Sequence, residues 1–436
     1  MRSVQSLTLS LTTAFAALGP AIAQCLPVTG CERPELAAVD DAMLAFMCDN
    51  DIPGGTLAIA RDGVVIYQRG FGQSDEAESI PMQPRTMAAV RELIADGAFT
   101  LDSFAFDLGQ PEGGLLDLEP FPTLGDPRLA QVRVRHLIDH RGGWDRGIAG
   151  DLTYRETLIA AQMGVQSPPG RENTVRWILG QPLQFDPDAR RSYSNIGGLM
   201  LGLIVEQESG KPLAEFIHER VLSPIGIEDA DHIAGRTFAD DHDPREPHYH
   251  ATGSATNVFD PFGPPVSAPY GGWDHEARVG QGGQVATAGV LATVAAHRWV
   301  NGSNIGKPKS PTQSGTWRWN HTGTLTGTGA LIRQRGDGIT YGVIFNTRGF
   351  GGDIRGVLDP VLDAITDWPA GEPSCCLPDL NNDNVLTGAD FFEFLGRFSA
   401  NDLSIDFASA ASPTTPDGLL TGADFFRFLE LFTLGC

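Results

Sequence analysis

Two pairs of β-prone runs stand far apart in this chain, with a helical stretch between them. Thr56 to Ala60 and Val64 to Tyr67 flank Arg61, Asp62 and Gly63, and an Asp-Gly pair between such runs signals a tight hairpin. Ala330 to Ile332 and Ile339 to Phe345 repeat the arrangement around Gly336, Asp337 and Gly338. Between the hairpins the apolar period becomes helical, most clearly from Asn195 to Glu208. There Ile196, Leu199, Met200, Leu203 and Ile204 recur at helical spacing, and Gly210 stops the run. A last apolar-periodic stretch carries Val357, Leu358, Val361, Leu362 and Ile365. Strands that enclose a helical middle pack most simply as an antiparallel sheet covered by helices, an α+β arrangement.

The start of the chain reads as an export signal. Arg2 precedes an apolar run from Leu7 to Leu18, followed by Pro20 and the small residues Ala21 and Ala23, which predicts cleavage after Ala23 and a secreted product. Cys25 raises the question of a lipid anchor, but Gln24 occupies the place where a small residue is wanted. No later run approaches the ~20 apolar residues that a membrane span needs. The net charge of −23 argues against nucleic acid, which is gripped through clustered Lys and Arg. Cys25, Cys31, Cys48, Cys375, Cys376 and Cys436 lie only toward the two ends, so any disulfides staple the termini and not the main domain. The expected organisation is a signal at 1–23, an N-terminal arm at 24–39, a main domain at 40–366, a Pro- and Cys-containing linker at 367–378, and a small module at 379–436.

That module contains an internal repeat: Leu386-Thr387-Gly388-Ala389-Asp390-Phe391-Phe392 returns as Leu420-Thr421-Gly422-Ala423-Asp424-Phe425-Phe426. Counted from Asp379, a twelve-residue loop offers Asp379, Asn381, Asp383, the Val385 carbonyl, Thr387 and Asp390, the alternating oxygens of an EF-hand-type calcium loop. Asn384 stands where glycine is usual, a position Asn tolerates because it visits left-handed backbone. The second loop, with Asp406, Asp417 and Asp424, is interrupted by a Ser-, Pro- and Thr-rich insertion, so a weaker or absent second site is expected. Phe391, Phe392, Phe394 and Leu395 form an apolar stripe that the second copy would cover. The duplicated loop-helix unit resembles a dockerin, which implies calcium-dependent folding of a small α-helical domain and attachment to a cohesin-like receptor.

Several segments of the main domain resemble the serine β-lactamase, penicillin-binding protein and esterase superfamily of class C type. They are Ile52-Pro53-Gly54-Gly55, Val134-Arg135-His136-Leu137-Ile138-Asp139-His140, Tyr193-Ser194-Asn195, Gly282-Gly283-Gln284-Val285-Ala286-Thr287 and His321-Thr322-Gly323, in the family's order over roughly residues 40 to 365. The resemblance implies a class C β-lactamase-like antiparallel sheet flanked by helices. It also implies hydrolysis of an ester, peptide or β-lactam through an acyl-serine, acting on a small acyl substrate or a peptidoglycan-like ligand. Carried over by position, Tyr193 is the acid/base, Asn195 its companion, and His321, Thr322 and Gly323 the strand wall. The amides at the start of the Asn195 helix would favour a tyrosinate at Tyr193. Ser194 faces away in the family pattern.

The family nucleophile is missing. A Ser-x-x-Lys on a helix puts hydroxyl and amine on one face, where the lysine can take the serine proton. After Pro84-Arg85-Thr86 the family pattern continues into that motif, but this chain passes directly to Met87-Ala88-Ala89-Val90. Its lysines are Lys211, Lys307 and Lys309, preceded three positions earlier by Glu208, Asn304 and Gly306, so no Ser-x-x-Lys exists anywhere. No Gly-x-Ser-x-Gly elbow replaces it. The expectation is a helical stub from Met87 to Ala95, with Thr86 as its cap and poorer core packing around it. Three readings stay open: a hydrolase whose segment is absent from the sequence as given, a non-catalytic binding or scaffold protein that keeps the cleft, and a hydrolase with another nucleophile. His242, His248 and His250, with Asp240, Asp241 and Asp243, lack the helix spacing of a zinc protease and read as a solvated loop.

Overall fold

The computed structural model describes residues 26–30, 33–72, 79–80, 84–227, 232–234, 248–349, 351–369, 378–380, 386–402, 405, 407 and 419–434. Outside them lie the expected signal and most of the linker. Also outside are Cys25, Cys31, Cys375, Cys376 and Cys436, the loop residues Asn381, Asp383, Val385, Asp406 and Asp417, and His242 with its three aspartates.

In chain order the elements that build the main domain are β1 (Val28–Gly30), α1 (Ala37–Asp49), β2 (Gly54–Arg61), β3 (Val64–Gly72), α2 (Pro84–Ala95), α3 (Asn195–Ser209), α4 (Ala288–His297), β4 (Arg318–Leu325), β5 (Thr328–Arg335), β6 (Ile339–Phe345) and α5 (Ile354–Ala364). Both predicted hairpins form. In the first turn Asp62 and Gly63 take φ of 51° and 93°, the left-handed pair that matches strand twist; Gly338 takes 86° in the second. The sheet runs β1–β3–β2–β6–β5–β4. Its central seam is the antiparallel pairing of β2 with β6, with Leu57 opposite Val343 and Arg61 opposite Ile339. The stretch read as an N-terminal arm supplies edge strand β1, paired to β3. Cys48, in α1, is disulfide-bonded, so one end of a disulfide lies inside the main domain, where the sequence reading expected none.

Two cores flank the sheet. On one face α1 and α5 bury Met43, Met47, Leu358 and Leu362 against Leu57, Ile59, Tyr341 and Val343. On the other, α4 lies so close to β6 that a Cβ on Gly342 would sit 2.5 Å from the Ala288 carbonyl oxygen. The predicted Asn195 helix forms as α3, with Gly210 left-handed at φ 70° as its cap, and sits in this second, larger core.

Helix α2 corrects two expectations. Thr86 lies inside the helix and does not cap it; its side chain is fully buried and Oγ1 has no hydrogen-bond partner. Packing around the shortened segment does not suffer either. Met87, Ala88, Ala89 and Val90 are fully buried in the larger core. A loop closes onto them: Arg91 donates to the carbonyls of Ser303 (3.1 Å) and Ile305 (3.3 Å). A Cβ on Gly306 would meet the Met87 carbonyl carbon at 2.5 Å.

In the C-terminal module, α6 (Gly388–Ser399) and α7 (Gly422–Leu434) pack on each other through Phe391 and Phe394 of the expected stripe, while Phe392 and Leu395 stay exposed. Phe394 stacks on Phe428 with ring centroids 4.1 Å apart, and Leu380, Ile405 and Phe407 complete the core. No helix of the described residues is long and apolar enough to cross a membrane.

Gly306 combines that contact with a φ of 80°. Gly306→Ala is expected to lower stability by about 1–3 kcal/mol, measurable as a reduced urea midpoint with an unchanged slope.

Candidate functional site

Ser194 accepts a hydrogen bond from the Ile196 amide (3.2 Å) and so caps α3, which fixes Tyr193 and Asn195 on either side of it. Capping occupies the serine, in keeping with its setting aside as a nucleophile. The Tyr193 hydroxyl donates to Asn195 Oδ1 (2.9 Å), and Asn195 Nδ2 donates to Asp151 Oδ2 (2.6 Å). Asp151 is held in turn by the Thr153 amide (3.2 Å) and hydroxyl (2.8 Å), both reaching Oδ1.

Tyr193, Asn195 and Asp151 line a cavity of about 530 Å³, whose opposite wall is Thr322, Gly323 and Thr324 on β4. Gln281 and Gly282 also line it, and just beyond them Thr287 caps α4 by accepting from the Val290 amide (3.2 Å). Trp273, Tyr154, Arg146 and Arg348 line the same space and were not singled out from the sequence.

The β-lactamase family model matches residues 93–357. This chain belongs to the β-lactamase family. A D-alanyl-D-alanine carboxypeptidase-type protein of Escherichia coli O157:H7 is 24% identical over 204 residues, covering 43% of this chain and 45% of the relative. Esterase EstB of Burkholderia gladioli is 28% identical over 219 residues, covering 47% and 53%. The chain thus spans about half the length of these relatives. Among solved structures, D-amino acid amidase from Ochrobactrum anthropi SV3 in complex with D-phenylalanine shares the fold at a TM-score of 0.51 and 19% identity, over 77% of this chain and all of that one.

Within this β-lactamase-family domain no described residue lining the cavity is Ser, Cys or Lys. The three lysines are engaged elsewhere: Lys211 with Glu219 (2.5 Å), Lys307 with Asn304 (3.1 Å), and Lys309 with the carbonyls of Ala296 (3.1 Å) and Ser310 (3.0 Å).

Tyr193 is no tyrosinate. Burial pushes its phenol up to about 12, and Tyr154 and Asp151 add to the rise against the lowering effect of Arg146, which lies over the ring at 4.8 Å. The expected dipole effect is outweighed by lost solvation. His321 is not among the residues that line the cavity. Burial and Arg191 depress its imidazole to about 4. His140, whose ring lies 4.8 Å from that of Tyr193, is depressed to about 4 by burial, Arg191 and His321.

In the small module Asp390 is fully buried. Its Oδ1 accepts from the Leu380 amide (3.0 Å) and its Oδ2 from the Thr387 amide (2.9 Å). Asp424 repeats this with the amides of Phe407 (2.9 Å) and Thr421 (2.7 Å). Asp379 is buried too, and Thr387 caps α6 by accepting from the Ala389 amide (3.1 Å). His250 is tied into a parallel bridge with Thr347, in which its backbone amide donates to the Asn346 carbonyl (2.9 Å).

His140 and His275 are both held near 4 in the folded protein, against about 6.5 in an unfolded chain. The unfolded state therefore binds more protons between these values. The stability they contribute is complete above about pH 6.5 and is lost as pH falls toward 4. His140→Asn suits the left-handed φ of 55° at this position and should flatten the acid decline in urea unfolding series; an unchanged decline would count against it.

Proposed function

We propose that this protein is an exported ligand-binding member of the β-lactamase family that keeps the cleft without forming an acyl-serine. The observation that carries this reading is the cavity lining together with the lysine inventory: the walls are present, and the nucleophile and its amine are not. Closure of the core around the shortened α2 supports it, because Met87 to Val90 are fully buried there, with the Thr86 hydroxyl left unpaired. Tyr193, Asn195, Thr322 and Gly323 become ligand contacts, for small acyl compounds such as amino-acid amides, esters or peptidoglycan-like peptides. Isothermal titration with D-phenylalanine amide should give saturable binding with the ligand recovered intact. Release of ammonia above the rate in buffer would contradict it.

The small module is, in this reading, a calcium-dependent dockerin-like domain. The described donors fit a hard cation: Asp379 and Asp390 are buried carboxylates on one loop, the residue type that Ca²⁺ takes as ligands. A bound Ca²⁺ would offset the cost of burying those charges. Phe392 and Phe426, equivalent in the two repeats, are 71% and 70% exposed and offer apolar contacts to a cohesin-like receptor. Calcium is expected to slow amide hydrogen exchange across α6 and α7 in the full chain, and Asp390→Ala should abolish that protection more completely than Asp424→Ala. Equal exchange with calcium and with chelator would rule the metal out.

A further inference from the structure

We propose that Asp151 makes the cleft an ammonium-recognising site, so that its ligands carry a free amine beside an aromatic or apolar group, as amino-acid amides and peptide amino termini do. The proposal rests on the ligand-binding reading and gives it a substrate class. Its basis is the direction of the hydrogen bonds. Tyr193 has one proton, and that proton goes to Asn195 Oδ1, so the phenol oxygen offers the cavity only lone pairs. Asn195 has one amide hydrogen committed to Asp151, which fixes which way the amide faces. Asp151 therefore acts on Tyr193 through Asn195 as a positioning residue and presents its own charge to the cavity as well.

That carboxylate accepts hydrogen bonds from Asn195 and from the Thr153 amide and hydroxyl, but no described cation is paired with it, although the residue lines the cavity. Around it stand aromatic faces. Tyr154 and Trp273 meet edge-to-face with centroids 5.9 Å apart; Arg278 already lies over the Tyr154 ring at 3.9 Å and Arg146 over the Tyr193 ring at 4.8 Å, so these rings stand against cations in the protein itself. A carboxylate among aromatic rings is the chemistry that holds an ammonium. Arg146 and Arg348 line the cavity too and likewise have no described carboxylate partner. They would repel a ligand that is only a cation, so the ligand must carry an acceptor, a carbonyl or carboxylate, at its other end. An amino-acid amide has both poles.

The test is calorimetric binding of D-phenylalanine amide and its N-acetyl derivative, at a pH well below the ~8 of an α-amino group. Acetylation removes the charge while keeping the ring and the amide. The free amine should bind at least about tenfold more tightly. Asp151→Asn removes the charge and should abolish the preference, so that the two compounds bind it with equal affinity, whatever that affinity is once Asn195 has reoriented. Equal binding of the two compounds by the unaltered protein, or a preference that survives Asp151→Asn, overturns the proposal while leaving the cleft a binding site. Failure of both compounds to bind overturns the ligand-binding reading and the proposal with it.

Discussion

The antiparallel pairing of β2 with β6 is the constraint on which the rest of the main domain depends. It joins strands separated by most of the domain's sequence, with Gly55 opposite Phe345 at one end and Arg61 opposite Ile339 at the other. Once that seam is made, the intervening chain is a closed loop that must fold back on the sheet, and α4 does so directly across β6. The same seam carries β5 and β4 outward on one side, which brings Thr322 and Gly323 to face the start of α3. The cleft is therefore a product of topology, not of the helix that bears the nucleophile in catalytic relatives of the resembling superfamily.

On the ligand-binding reading, this separation is what lets the fold stand without the nucleophile. The shortened α2 is sealed by small residues: Ala88 and Ala89 in the helix, and Gly306 in the loop above it. A Cβ at Gly306 would strike the Met87 and Ala88 backbone and push loop and helix apart. The groups that remain at the cleft are held by caps and hydrogen bonds of their own, from Ser194 through Asn195 to Asp151. They lose no support when the nucleophile is missing.

The two hairpins, α3 and the duplicated helices of the small module were legible in the sequence because each is written locally, in an Asp-Gly turn, a helical period stopped by Gly210, or a repeat. The site was legible only in part. Tyr193, Asn195, Thr322 and Gly323 do converge. Asp151 was not visible, because Asp-x-Thr at 151–153 reads as an ordinary turn or cap, and its bond to Asn195 spans 44 residues. The protonation of Tyr193 was misread because a helix start argues for an anion while burial, a tertiary property, argues more strongly against it. Thr86 was misplaced for a similar reason: the helix begins two residues earlier, at Pro84, a residue suited to a first turn.

The central claim is that the cleft, with no described Ser, Cys or Lys in its lining, forms no acyl-enzyme. Intact-protein mass spectrometry after prolonged exposure to excess benzylpenicillin, and separately to a fluorophosphonate, tests it most directly. The account predicts an unchanged mass with both reagents. A stoichiometric adduct that maps to a residue in the Tyr193 cleft would contradict it and restore the protein to the acylating enzymes of its family.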